Sequence, residues 1–148
     1  MRRNSTSVVA AAMPAGITSD SLIRLTRMML FIAFTAAGAQ LALRLPFTPV
    51  PVTMQTLFVL LAGITLGPRD GFYAMASYLA AGALGAPLFA GFAFGPAILL
   101  GPTGGYLIAF PAAALVAGYV SGILPGRAGA FAGALLGSSL ILVMGSLH

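Results

Sequence analysis

Six polar side chains in two stretches of an otherwise apolar chain are placed to do chemistry. They are Thr48, Thr53, Gln55 and Thr56 in LPFTPVPVTMQT, and Thr103 and Tyr106 in LLGPTGGY. Hydroxyls and one carboxamide offer donors and acceptors without carrying charge. Backbone groups freed by Pro49, Pro51, Gly101, Gly104 and Gly105 add to them. Such a set suits a small, largely neutral polar head held by hydrogen bonds. Phe47, Val50, Phe89, Phe92 and Phe94 lie in or near the same stretches and are candidates to wall an apolar portion. A ligand carboxylate would find only Arg44 nearby, or the amides of a helix N-terminus.

Other chemistry is removed by what the sequence lacks. The chain has seven Arg, two Asp and one His among 148 residues, with no Cys, Lys or Glu. Disulfides, thiol catalysis and cysteine zinc sites are therefore excluded. The single His is His148, the last residue, so no internal imidazole serves as base or metal ligand. A serine nucleophile has neither His nor Lys to activate it, which argues against an enzyme. A Walker A loop requires Lys. Proton-coupled transport ordinarily uses an ionisable group within the membrane, whereas Asp20 and Asp70 both fall at the edges of apolar segments. Asp70 beside Arg69 reads as a turn residue with a local ion pair. The sequence thus offers binding groups without an engine.

The elements that position these groups must be membrane helices. Charged residues make up 6% of the chain, hydrophobic residues 59%, and the mean hydropathy is +1.04. A soluble domain carries about 25% charged residues. Five apolar runs follow: Leu25–Leu43, Val52–Leu66, Gly71–Gly85, Gly105–Leu124 and Ala128–Leu147. Residues 1–20 read as a cytoplasmic tail and 21–148 as an all-α transmembrane domain. Val8–Met13 is too short to be the core of a cleaved signal, and Ser19 or Asp20 is placed to cap the first helix. The net charge of +5 reflects topology rather than nucleic-acid binding. With the N-terminus inside, Arg2, Arg3, Arg24, Arg27, Arg69 and Arg127 lie inside and only Arg44 outside, as the positive-inside rule requires.

This arrangement puts tight connections, GPRDG and PGRAG, on the inside and both elaborate stretches on the outside. Short spans interrupted by Pro and Gly mark binding sites in membrane transport proteins, so a ligand pocket capped from outside is expected. The alternative is that these loops rest on lipid headgroups. Ser77, Ser121, Ser138 and Ser139 read as small residues at helix contacts. Ala114, Gly118 and Gly122, and Gly129, Gly133 and Gly137, form small-residue stripes that allow helices to approach closely. A ligand-free scaffold assembled through these stripes and a small self-sufficient carrier remain as other readings.

The ordered motifs PFTPVPVTMQT (Pro46–Thr56), LAG and LGPRDG (Leu61–Gly71), SYLAAGALGAPLFAG (Ser77–Gly91) and LLGPTGGYLIAF (Leu99–Phe110) resemble the BioY family across about Leu30–Gly122. These are the biotin-binding membrane subunits of energy-coupling-factor transporters. The resemblance implies biotin capture at the outer face of a bacterial plasma membrane. Import would be driven by a separate coupling subunit and ABC-type ATPases, and no cofactor or metal is implied. It implies ligand contacts from Thr48, Val50, Thr53 and Gln55 in the first loop. From the second region it implies Tyr78, Phe89, Gly91, Thr103 and Gly104. Ala33 and Ala37 match the paired small residues through which such subunits meet the coupling subunit. The family bundle has six helices, the last carrying charges that complete the site. Five spans here imply a C-terminally shortened member.

Overall fold

The computed structural model describes residues 18–148, so the tail expected over 1–20 lies almost wholly outside the described residues. Five long helices and one short one form the bundle. Helix α1 spans Ser19–Gln40, α2 Gln55–Leu66, α3 Pro68–Ala83, α4 Pro96–Leu99, α5 Gly104–Ile123 and α6 Gly126–Leu147. Three of them, α1, α5 and α6, are long and apolar enough to cross a membrane, and α2 is a shorter apolar helix. Bulky side chains such as Met29, Leu43, Phe131, Val143 and Leu147 face outward. That surface is stable only against lipid.

Each boundary has a local cause. The cap of α1 is Thr18, one residue before the expected Ser19 or Asp20. Its hydroxyl accepts the Ser21 amide at 3.3 Å, and Asp20 in the first turn favours the positive end of the helix. Between α2 and α3 the chain reverses on Gly67 alone, at φ 89°, with Pro68 opening α3. Arg69 and Asp70 therefore belong to a helix rather than to a turn. This changes the partner of Asp70. Its carboxylate accepts from Arg24 Nε at 2.7 Å and from Arg24 Nη2, so the pair joins α1 to α3 instead of closing a local contact with Arg69.

Helix contacts use the absence of side chains. A Cβ on Gly63 would overlap the Ala114 carbonyl, and one on Gly118 would overlap that of Gly63. Gly133 and Gly137 of α6 lie against the Ala117 and Ala113 carbonyls of α5. The α5 stripe of Ala114 and Gly118 thus faces α2, while Ala113 and Ala117 face α6. A Cβ on Gly122 would meet nothing and the residue is exposed, which ends its expected stripe one turn early. Val59, Ala62, Ala74, Met75, Leu107, Ala109 and Ile141 fill the core.

Two long connections leave the other end of the bundle. Residues 41–54 form a miniature antiparallel hairpin, with Ala42 opposite Thr53 and Leu43 opposite Val52. Residues 84–103 carry a 3-10 turn, Ala90–Phe92, followed by α4. The second apolar run thus begins with extended backbone, and its helix starts at Gln55.

Candidate functional site

These connections cover a cavity of about 850 Å³ at one end of the bundle. Thr48, Val50, Thr53 and Gln55 line it from the hairpin and the start of α2. Phe89 and Gly91 line it from the second connection, and Thr103 from the entry to α5. Seven of the nine residues expected to face a ligand therefore border one space.

Tyr78 and Gly104 stand behind the wall. Tyr78 is fully buried; its hydroxyl accepts from Gln55 Nε2 at 2.6 Å and donates to the Leu88 carbonyl at 2.8 Å. Thr53 donates to Gln55 Oε1 at 3.1 Å. The carboxamide is thus held at both ends, fixing which way it presents itself. The Tyr78 ring meets Phe89 edge to face at 5.8 Å, and Phe89 sits in a notch that a Cβ on Gly82 would fill. Gly104 packs beneath the Leu99 carbonyl, where only glycine fits. Both residues position the wall rather than form it.

The hydroxyls divide by task. Thr48 is engaged locally: it accepts the Val50 amide at 3.2 Å and donates to the Val50 carbonyl at 3.4 Å, shaping the proline loop. Thr103 occupies the cap position of α5 but makes no side-chain capping bond, leaving its hydroxyl available to the cavity. Phe47, Phe92 and Phe94 do not line the space. They are 81%, 66% and 59% exposed, so of the five expected aromatic and aliphatic wall residues only Val50 and Phe89 serve.

Several lining residues went unassigned in the motif reading. Gln40, Leu107, Phe110, Ser138, Ile141 and Leu142 complete the wall. Ser138 had the spacing of a helix-contact residue, and Gln40 closes an apolar run where the α1 terminus was expected three residues later. A polar residue ending an apolar helix next to a ligand loop was the available signal for Gln40. Arg44 is the one charged residue in the lining, and it lies close to Gly91. The donor and acceptor set is hydroxyls, amides and one guanidinium, with apolar surface from Val50, Phe89, Leu107, Phe110 and Ile141. It can bind a polar ring, an apolar body and an anionic end together.

Ala33 and Ala37 lie far from this wall in role. Both are exposed on the outer face of α1, while Thr35, Gly38 and Ala39 face inward.

The sequence model of the BioY family matches residues 6–148. A Pyrococcus horikoshii protein named probable biotin transporter BioY is 54% identical over 89 residues, covering 60% of this chain and 54% of that protein. The Thermotoga maritima biotin transporter BioY is 38% identical over 116 residues, covering 78% of this chain and 68% of that one. The chain thus spans about half to two thirds of the length of these curated relatives. Among solved structures, the S-component for biotin from an ECF-type ABC transporter superposes with a TM-score of 0.80 at 27% identity, covering 89% of this chain and 74% of that one. The family model covers nearly the whole chain, the helices follow the same course as in that solved structure, and the chain belongs to the BioY family.

Proposed function

We propose that the chain captures biotin at the outer face of the cytoplasmic membrane and delivers it to an ATP-driven energy-coupling-factor module. The observation that carries this reading is the cavity, whose fixed Gln55 carboxamide, free Thr103 hydroxyl, apolar wall and single rim cation match the parts of biotin. A ureido ring has N–H donors and a carbonyl acceptor, the bicycle and tail are apolar, and the tail ends in a carboxylate. The names carried by the relatives support the same ligand.

The orientation follows from charge. Asp20, Arg24, Arg27, Arg69, Asp70 and Arg127 gather at the end opposite the cavity, which is therefore the cytoplasmic end, and the cavity opens outward. Exposed Ala33 and Ala37 offer α1 a flat face on which a helix of the coupling subunit can approach closely.

Saturable retention of radiolabelled biotin by the chain in detergent or nanodiscs tests the ligand. Competition by excess unlabelled biotin is expected, and absence of saturable retention overturns the assignment. Replacing Ala33 and Ala37 together by Leu is expected to leave biotin retention intact while abolishing co-purification with the coupling subunit. Unchanged co-purification removes α1 as the docking face.

A further inference from the structure

We infer that Gln40 is a positioning residue that latches the turn Phe89–Ala93 across the cavity. The inference rests on the ligand reading above and adds a holding element to it. Gln40 is the last residue of α1, and both halves of its amide are engaged with the turn: Nε2 donates to the Phe89 carbonyl at 3.1 Å, and Oε1 accepts the Phe92 amide at 3.2 Å. These bonds reach from α1 over 49 and 52 residues of chain.

The turn they hold has a conformation that its sequence disfavours. Gly91 and Phe92 are both left-handed, with φ 69° and 58°. Glycine adopts that region freely, but a bulky residue does so only under constraint. Phe92 is the one non-glycine residue with positive φ among the described residues. Its ring is largely exposed, so side-chain packing does not provide the constraint. Backbone bonds close the base of the turn, from the Phe89 amide to the Ala93 carbonyl at 3.1 Å, and tie its far side to α3, from the Gly95 amide to the Gly82 carbonyl at 2.8 Å. The buried Phe89 ring anchors the α3 side as well. On the α1 side the polar ties are the two made by Gln40. Phe89, Ala90, Gly91 and Ala93 all border the cavity, so a turn released from Gln40 opens the space it covers. A strained backbone whose ties to one neighbouring helix come from a single side chain is poised to move on that side when the side chain is withdrawn.

The test uses the full chain in nanodiscs with radiolabelled biotin, together with amide hydrogen exchange in the absence of ligand. Gln40→Met keeps the length and apolar bulk but neither donates nor accepts as the amide does. It is expected to speed biotin release by about tenfold or more, the scale of two lost hydrogen bonds of modest net strength. Exchange at the Phe92 amide is expected to rise similarly, while amides in α5 and α6 keep their protection. Phe92→Gly added to Gln40→Met is expected to restore slow release, because glycine populates the left-handed region without help. Unchanged release and unchanged Phe92 exchange in Gln40→Met overturn the inference. So does a general loss of protection across the helices, which marks Gln40 as merely structural. A wild-type chain that does not retain biotin overturns the ligand assignment instead, and the Phe92 amide then decides the latch by itself.

Discussion

The two ends of the bundle solve opposite problems. At one end helices are joined by almost nothing: Gly67 alone between α2 and α3, and Leu124–Pro125 between α5 and α6. Six of the seven charges in the described residues gather there. At the other end the joints are residues 41–54 and 84–103, and Arg44 is the only charge. The short joints force backbones together, and the glycines at Gly63 and Gly118 let them touch. The long joints enclose space and shape it with neutral hydrogen bonds from Gln40, Thr48, Thr53, Gln55 and Tyr78. Rigidity and recognition are thus separated along the membrane normal, and what fixes one end differs in kind from what builds the other.

The largest break in this contrast is expected from Gly63→Val. The new side chain meets the Ala114 backbone, which cannot yield as a flexible side chain would. Overpacking of this kind costs about 3 kcal/mol or more, and loss of the monodisperse peak in detergent chromatography with a sharply lowered melting temperature is the expected readout. A wild-type elution profile would mean that the helices separate at little cost.

An intermediate effect belongs to the recognition end. Arg44→Gln is expected to weaken biotin binding by about tenfold, as loss of a charged hydrogen bond does, with little change in melting temperature. Biotin methyl ester should bind the variant and the wild type alike. Equal weakening of acid and ester would place the carboxylate elsewhere.

The smallest effect is expected from Arg24→Ala. The ion pair with Asp70 is well placed but the Arg24 side chain is 56% exposed, and pairs in water contribute little. A melting temperature within about 2 °C of wild type is expected. A larger fall would show that the charged end is held by charge and not by its glycine contacts.

The sequence made this polarity legible to different depths. Arg positions and apolar runs gave five helices because each run is bounded by Gly, Pro or Arg, and lipid leaves few alternatives. The errors fall where one-dimensional patterns end. Asp70 was assigned to its neighbour Arg69 because helix α3 begins inside what reads as a turn, and a partner 46 residues away leaves no local mark. Thr48 was legible as a polar interruption between prolines, and Thr53 and Gln55 as polar residues just after them. Tyr78 could be linked to the site, yet its place behind Gln55 depends on packing across two helices. Phe92 and Phe94 were grouped with Phe89 by composition, but left-handed backbone at Gly91 and Phe92 turns the chain so that only Phe89 enters. Ser138 and Leu142 reach the cavity from α6 because glycines allow that helix to close on α5.

The shortness of α2 has a further consequence. Twelve residues of helix rise only about 18 Å, against a hydrocarbon slab about 30 Å thick. With Gly67 and Arg69 at the headgroup level of one leaflet, the start of α2 lies some 12 Å short of the opposite headgroups. On the reading proposed above, Gln55 meets biotin at a depth where lipid tails, rather than water, surround the protein. Polar groups left unmatched inside a desolvated cavity are costly, so on that reading the wall discriminates by its hydrogen bonds as well as by its shape. Retention of that ligand is then expected to respond to acyl-chain length, because a thicker bilayer buries the floor of the cavity more deeply.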